Sequence, residues 1–294
     1  MKFKDSFHPF AIITIVFWSL AYVFTRLALR HFSAFPLGFL RYLIATLTLI
    51  AVALPLKLKF PKRADIKWFL LAGAFGFFLY MLAFNKGSES VTAATGSVII
   101  ATVPVLTALL ARVFYGEKLS LIKWLAIAIE FSGVVILTLL DGSFSVNFGL
   151  ASMFLAAVAL SSYNLLQRRL TATYSALQTS AFSIFAGTLM LAVFLPAAVP
   201  EARTAPPAQI FYVAALGVFS SALAYAAWAR AFEKAENTSA VSNYMFVTPF
   251  LTTLFGFVIA GESPGFATLI GGLVILLGLL VFNFGDKIFK RRII

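Results

Sequence analysis

The chain has 294 residues, 61% of them apolar and 12% charged, with a formal net charge of +12. So much apolar surface cannot be buried in one water-soluble core, which excludes a single soluble domain and makes lipid the expected solvent. With no cysteine, a disulfide framework and thiolate metal sites are excluded as well.

A helix crossing the hydrocarbon core needs about 20 mainly apolar residues, because each backbone N–H and C=O has to be satisfied within its own segment. Ten runs meet that requirement. They predict helices over residues 10–25, 35–56, 66–85, 91–115, 121–140, 148–167, 175–196, 210–232, 238–260 and 266–284.

The first run follows Met1-Lys2-Phe3-Lys4 with no small-x-small cleavage site, so it reads as an uncleaved helix rather than a signal peptide. Trp18 lies roughly 12 Å inside it, at 1.5 Å per residue, too deep for an interfacial belt. It suits either core packing or stacking on a substrate, and Tyr22 and Thr25 follow it at near-helical spacing. The second run holds Arg41, the only basic residue well inside a span. The third opens on Lys67-Trp68, a headgroup anchor pair, and carries Tyr80 and Phe84.

The fourth run contains Ser97 and then Pro104, which removes an i to i−4 hydrogen bond and favours a bend. The fifth starts with a second anchor pair, Lys123-Trp124, and holds Glu130, the one carboxylate deep in a span. Because burying an ionised carboxylate is expensive, Glu130 is expected either to carry a proton or to be paired, with Arg41 as the candidate partner. The sixth run carries Ser161 and Asn164, the eighth Tyr225, and the ninth Ser242 and Pro249. The tenth is nearly pure hydrocarbon with Gly271, Gly272 and Gly278, as expected of a helix that packs closely on a neighbour.

Numbering the loops alternately puts eighteen of the 23 Lys and Arg on the side of the amino terminus and five, Arg26, Arg30, Arg41, Lys86 and Arg203, on the other. By the positive-inside rule both termini are cytoplasmic, in an inner (plasma) membrane. The net positive charge therefore reports topology, and no nucleic-acid partner is expected.

A shift of 145 residues superposes Pro55 on Pro200, Tyr80 on Tyr225, Ser97 on Ser242, Pro104 on Pro249, Gly116-Glu117 on Gly261-Glu262 and Gly133 on Gly278. A shift of 142 brings Ser19 and Arg26 onto Ser161 and Arg168. The chain thus divides into two repeats, residues 1–142 and 143–294. Five helices per repeat is an odd number, so the second copy enters the membrane from the opposite face. Inverted repeats are a construction of secondary transporters, in which two similar conformers facing opposite ways give alternating access to a central site. The expected fold class is an all-α membrane protein of ten transmembrane helices in two inverted five-helix repeats.

Trp18-Ser19-Leu20-Ala21-Tyr22 with Arg26, Phe39-Leu40-Arg41-Tyr42, Pro104, Gly116-Glu117-Lys118 and Gly133, with similar marks at Tyr225, Trp228, Pro249, Gly261-Glu262 and Gly278, resemble the drug/metabolite transporter superfamily. The likeness is to its ten-helix EamA-type members and covers almost the whole chain. Within that superfamily the chain looks most like the YddG-type amino-acid exporters, which implies efflux of aromatic and other neutral amino acids or related metabolites. The alternative is a multidrug or nucleoside-type exporter of the same fold, proton-coupled or not. The second repeat departs from the first in having Ala186 where Arg41 stands, which suggests a structural role for Arg41 in one half only.

The first, third and fourth helices and their repeats, the sixth, eighth and ninth, hold most of the polar and aromatic residues at depth and are expected to line the path. The candidate substrate residues are Trp18, Ser19, Tyr22, Tyr80, Phe84, Ser97, Ser161, Asn164, Tyr225 and Ser242. Tyr80 with Ser97 would serve an outer gate, Tyr225 with Ser242 an inner one, and Pro104 and Pro249 would be paired hinges. With one buried Arg and many hydroxyls and rings, a neutral, zwitterionic or aromatic solute fits better than a phosphorylated one. A membrane-embedded enzyme would need a metal-binding His pair or an acidic dyad at depth, whereas His8 and His31 fall near interfaces and Glu130 stands alone. A channel would need a repeated filter, and no Gly-rich filter segment occurs. No cofactor and no metal are expected. The partners are a small-molecule substrate and the lipid bilayer, and a monomer is the simplest assembly.

Overall fold

The computed structural model describes residues 6–116, 120–140, 148–234, 241 and 243–290. All regular structure among them is helical, and every run expected from hydropathy coincides with a helical segment. In chain order these are α1 (His8–Ala28), α2 (Ala34–Ala53), α3 (Arg63–Ser88), α4 (Ala93–Tyr115), α5 (Leu121–Leu140), α6 (Phe148–Thr171), α7 (Ala176–Thr204), α8 (Pro207–Lys234), α9 (Thr248–Ala260) and α10 (Phe266–Lys290). Seven of them are plainly long and apolar enough to cross a membrane, and shorter apolar helices accompany them. The chain is an all-helical membrane protein.

Helices α7 and α9 depart most from their expected bounds. Helix α7 runs on to Thr204 because a 3-10 turn at Ala192–Phe194 hands over to a new helical piece, Leu195–Thr204, with Pro196 in its first turn, where proline loses no bond. Glu201 of that piece accepts from the backbone N–H and hydroxyl of Ser33, at 2.9 and 2.7 Å, tying it to the start of α2. Helix α9 is regular only from Thr248, preceded by a 3-10 stretch at Asn243–Val247. Ser242 lies outside the described residues.

The third and eighth helices share a departure from α geometry. Wide π turns occupy Ala74–Leu79 in α3 and Leu216–Leu223 in α8. Such a bulge re-aims the side chains around it and is frequent at functional sites. Tyr80 is the first residue beyond one bulge, and Tyr225 the second beyond the other.

Both proposed hinges also stand at helix junctions. Helix α4 is interrupted at Ala101-Thr102, between the pieces Ala93–Ile100 and Val103–Tyr115, and Pro104 sits in the first turn of the second piece. Pro249 occupies the same place in Thr248–Phe255. A serine hydroxyl meets each junction: Ser161 donates to the Val103 carbonyl at 3.2 Å, and Ser19 to that of Thr248 at 3.4 Å. Helices α4 and α9 then end on Gly116 (φ 66°) and Gly261 (φ 67°), left-handed terminators where a Cβ would be strained.

Helix α5 lies along α10 and meets it through glycines. A Cβ on Gly133 would come within 2.6 Å of Ile275, and one on Gly278 within 2.6 Å of Glu130. Without a hydrophobic force between helices in lipid, such close backbone approach supplies the packing energy. The pair forms a buttress outside the remaining helices, as the glycines of α10 suggested.

Hydroxyl-to-carbonyl bonds between helices complete the bundle. Thr14 of α1 donates to Ala224 of α8 at 3.1 Å, Ser220 of α8 to Phe17 of α1 at 2.9 Å, Ser180 of α7 to Tyr225 of α8 at 3.2 Å, and Thr188 of α7 to Tyr42 of α2 at 3.1 Å. Each is worth about 0.6 kcal/mol on average, so the set fixes helix register more than it supplies stability.

Candidate functional site

The helices enclose a central cavity. Its wall is built by Trp18, Ala21 and Tyr22 of α1, Arg41 of α2, Tyr80 and Phe84 of α3, Ser97, Ile100 and Ala101 of α4, Leu160 of α6, Tyr225 of α8, and Met245 and Thr248 at the approach to α9. The empty space, open mouth included, is about 490 Å³. The six helices expected to line a path all contribute. Helix α2 joins them through Arg41.

The aromatic part of the wall is a connected assembly. Trp18 meets Tyr225 edge-on with ring centroids 5.2 Å apart, and Trp228 at 5.0 Å. Phe84 carries Tyr22 on its edge at 5.2 Å and Tyr80 in a stack at 5.4 Å. Behind them Phe77 touches Tyr42, Tyr163 and Tyr225 at 5.1–5.2 Å. Each ring pair adds about 0.5–1.5 kcal/mol to its burial, so the rings hold one another in orientation and leave a shaped aromatic slot.

Of the residues singled out in the sequence, Trp18, Tyr22, Tyr80, Phe84, Ser97 and Tyr225 converge on this cavity. Tyr80, Ser97 and Tyr225 share it, although the sequence assigned them to opposite gates. Ser19, Ser161 and Asn164 are not on its wall. Ser19 and Ser161 are fully buried and donate to carbonyls of their own helices, Ile15 and Ala157, each at 2.7 Å, besides clamping the two junctions. Asn164 donates to Thr107 at 3.3 Å. All three hold helix to helix. The same fate was open to any single hydroxyl, since a polar side chain in the bilayer must find some partner.

Arg41 is the residue that sequence reasoning undervalued. It is 3% exposed, its Nε donates to Ser221 Oγ at 2.7 Å, and its guanidinium lies 5.5 Å from the centre of the Tyr42 ring. Ser221 belongs to the π bulge of α8, so the bulge that presents Tyr225 also presents the partner of Arg41. The signal was available: an ionisable residue inside a span is a functional-site hypothesis by default. The lack of a counterpart in the second repeat obscured it. Ala186 there packs against Gly73 of α3, whose Cβ would lie 2.7 Å away, and that contact leaves no room for an arginine.

Glu130 does not pair with Arg41, which corrects one expectation for it. Its side chain is buried, and neither carboxyl oxygen has a hydrogen-bond partner among the described residues. It faces a second, smaller cavity of about 210 Å³ with Thr102, Val105, Leu106, Phe131 and Phe154. The break in α4 serves both cavities: Ile100 and Ala101 line the central one, and Thr102 lines the smaller one.

One end of the bundle carries a charged knot. Arg26, at the end of α1, pairs with Glu262 at 3.0 Å and donates to the carbonyls of Ser88 and Glu89 at 2.7 and 3.3 Å. The other oxygen of Glu262 accepts from the backbone N–H of Ala93 at 2.9 Å. Three elements, α1, the start of α4 and the turn after α9, are thus joined through one carboxylate. At the opposite end His8 meets Tyr244 at 2.5 Å, Tyr174 donates to Asp65 at 2.6 Å, and Glu233 accepts from the backbone of Ala176 and pairs with Arg230.

Comparison with known proteins agrees with this architecture. Residues 7–139 match the EamA-like transporter family, and residues 147–284 match it a second time. The chain is 29% identical to a Streptantibioticus cattleyicolor protein named "Probable terminal-alkyne amino-acid exporter", over 92% of this chain and 91% of that one. It is also 29% identical to the uncharacterized transporter YdfC of Bacillus subtilis, over 94% and 92%, and 23% identical to the uncharacterized inner membrane transporter YedA of Escherichia coli, over 99% and 96%. A solved crystal structure superposes with a TM-score of 0.63 at 20% identity, covering 95% of this chain and 97% of that one, which establishes the fold.

Proposed function

Because the chain belongs to the EamA-like transporter family, and is a membrane transporter rather than an enzyme, we propose that it exports aromatic and other neutral amino acids, or closely related metabolites, by alternating access. The observation that carries this reading is the central cavity itself. A slot walled by Trp18, Tyr22, Tyr80, Phe84 and Tyr225, with hydroxyls and one cation at its edge, offers an aromatic side chain a stacked berth and a polar backbone its own partners. The similarity to a protein named as an amino-acid exporter points the same way.

In this reading the two halves, residues 1–142 and 143–294, are inverted repeats with both termini in the cytoplasm. The junctions at Pro104 and Pro249 flex in turn, Tyr80 with Ser97 and Tyr225 with Ser242 control access from opposite sides, and the Arg26–Glu262 knot latches the outer end. Glu130, beside the α4 junction, carries the coupling proton. Efflux follows from a cytoplasmic supply of metabolite meeting a site accessible from either face.

The test is counterflow in proteoliposomes containing the purified chain, with a panel of aromatic and aliphatic amino acids, nucleosides and cationic dyes, with and without a pH gradient. Exchange of phenylalanine or tryptophan is expected. Exchange confined to nucleosides or dyes would move the protein to the multidrug or nucleoside-type class, and flux without counterflow would make it a pore.

A further inference from the structure

Arg41 presents an unbalanced charge. It stands in the middle of α2, buried, on the wall of the central cavity. Of its five N–H donors, the structure accounts for one, the Nε bond to Ser221. No acidic side chain among the described residues pairs with it, and Glu130, the one carboxylate at comparable depth, faces a different cavity. A guanidinium cannot shed its proton to escape this position. An unpaired charge inside a bilayer is costly, and where one persists it belongs to a pathway and meets its counter-ion there.

The rest of the wall says what that counter-ion is. Tyr22, Tyr80, Ser97, Tyr225 and Thr248 line the same cavity as the cation, and the remainder of the wall is aromatic and aliphatic. A single fixed cation neutralises one negative charge, not the two or more of a phosphoryl group. The free edge of the fork, its two Nη groups, has the geometry to take both oxygens of a carboxylate. By contrast, no acidic side chain among the described residues lines the wall to meet an ammonium. A substrate amine finds only the faces of the rings, where cation–π attraction adds little discrimination.

Building on the amino-acid reading, we propose that Arg41 binds the substrate's carboxylate through its free Nη edge, so that the site requires a monocarboxylate next to an aromatic or apolar body and does not require the α-amino group. Ser221 is then the positioning residue, fixing the guanidinium through Nε so that its outer edge faces the cavity. The protein should accept aryl carboxylic acids that lack an amine and reject amines that lack a carboxylate.

Binding to the purified full chain in detergent tests this by ligand-dependent thermal stabilisation, with four ligands of one skeleton: phenylalanine, 3-phenylpropionate, phenylalaninamide and phenethylamine. Phenylalanine and 3-phenylpropionate are expected to bind within about threefold of each other, and the amide and the amine at least tenfold more weakly. Arg41→Gln should remove that acid preference, whereas Arg41→Lys, which keeps the charge and loses the fork, should retain part of it. If Arg41→Gln does not fold, Ser221→Ala gives the second reading, a weakened preference with Arg41 intact. Equal binding of acid and amide by the wild type, no binding of either acid, or an unchanged preference in folded Arg41→Gln would overturn the proposal. Failure of the amino-acid reading looks different: 3-phenylpropionate binds through Arg41 while phenylalanine is not exchanged in proteoliposomes.

Discussion

Arg26 and Glu262 lie 236 residues apart in the chain and meet at 3.0 Å, joining the end of α1 to the turn after α9. With side chains 29% and 18% exposed, the pair is neither a solvated surface bridge nor a buried one. Because Glu262 also accepts from Ala93 and Arg26 also reaches Ser88 and Glu89, loss of either partner strands several groups at once.

Glu262→Gln should therefore loosen this end of the bundle. Hydrogen bonds to charged groups are worth about 1.5–3 kcal/mol, enough to shift an open-to-closed equilibrium by about tenfold or more. The native chain has no cysteine, so Ser97→Cys on the cavity wall provides a single reporter. A membrane-impermeant maleimide applied from the Arg26 side is expected to label it about tenfold faster in the Glu262→Gln background. Equal labelling rates would exclude a latch.

Trp18 touches both Tyr225 and Trp228. Truncation of its ring removes two aromatic contacts of about 0.5–1.5 kcal/mol each together with a wall of the slot. Trp18→Ala should raise KM for phenylalanine and tryptophan about tenfold in counterflow, with a smaller effect on valine. Trp18→Phe should stay within about threefold of the wild type. An equal loss for aromatic and aliphatic substrates would identify a packing role alone.

Tyr80 and Tyr225 each follow a π bulge and share the cavity. If they govern opposite entrances, Tyr80→Ala and Tyr225→Ala will impair influx and efflux unequally, and in opposite senses, when initial rates are compared in oriented vesicles. Equal rates in both directions for both variants would dissociate them from gating.

Glu130 has neither a counter-ion nor a hydrogen bond among the described residues, so its neutral form is the one its site accommodates. Glu130→Gln should fold normally, with a melting temperature at or above that of the wild type, and should keep counterflow. Uphill accumulation driven by a pH gradient should be lost. If Glu130→Gln still concentrates substrate under that gradient, the proton travels elsewhere.

Gly133 approaches Ile275 and the Gly271 carbonyl so closely that any Cβ would fall within 2.6–2.8 Å of them. Gly133→Val is expected to separate α5 from α10 and to destabilise the protein by about 1–3 kcal/mol, the usual cost of overpacking, measured by thermal unfolding in detergent. The KM of the folded fraction should not change, since neither helix lines the central cavity.

Much of the architecture was legible in the chain because lipid imposes simple rules. Backbone groups must be satisfied within each span, so helix number and approximate bounds follow from runs of apolar residues. Gly271, Gly272 and Gly278 announced a tenth helix that packs closely on a neighbour in the same way, by the absence of side chains where backbones must meet. Trp18, Tyr22, Tyr80, Phe84, Ser97 and Tyr225 were found because large or polar groups at depth are rare in a bilayer. The limit of that reasoning appears at Ser19, Ser161 and Asn164, equally deep and equally polar. Their partners are carbonyls and a hydroxyl on neighbouring helices, and no local feature distinguishes a hydroxyl that clamps a helix from one that meets a solute.

Composition, periodicity and spacing thus determined that the chain is an all-helical membrane protein and which few residues at depth required an explanation, since each of those properties is set by the cost of transferring a segment into lipid. Only the tertiary structure decided which of the residues at depth face one another. It sent Glu130 to a cavity of its own, turned Ser19 and Ser161 into clamps, and brought Arg41 to the wall of the aromatic slot with most of its donors unspent. Those outcomes depend on helix rotation and on the π bulges of α3 and α8, which are fixed by packing between segments far apart in the sequence rather than by the sequence of any one of them.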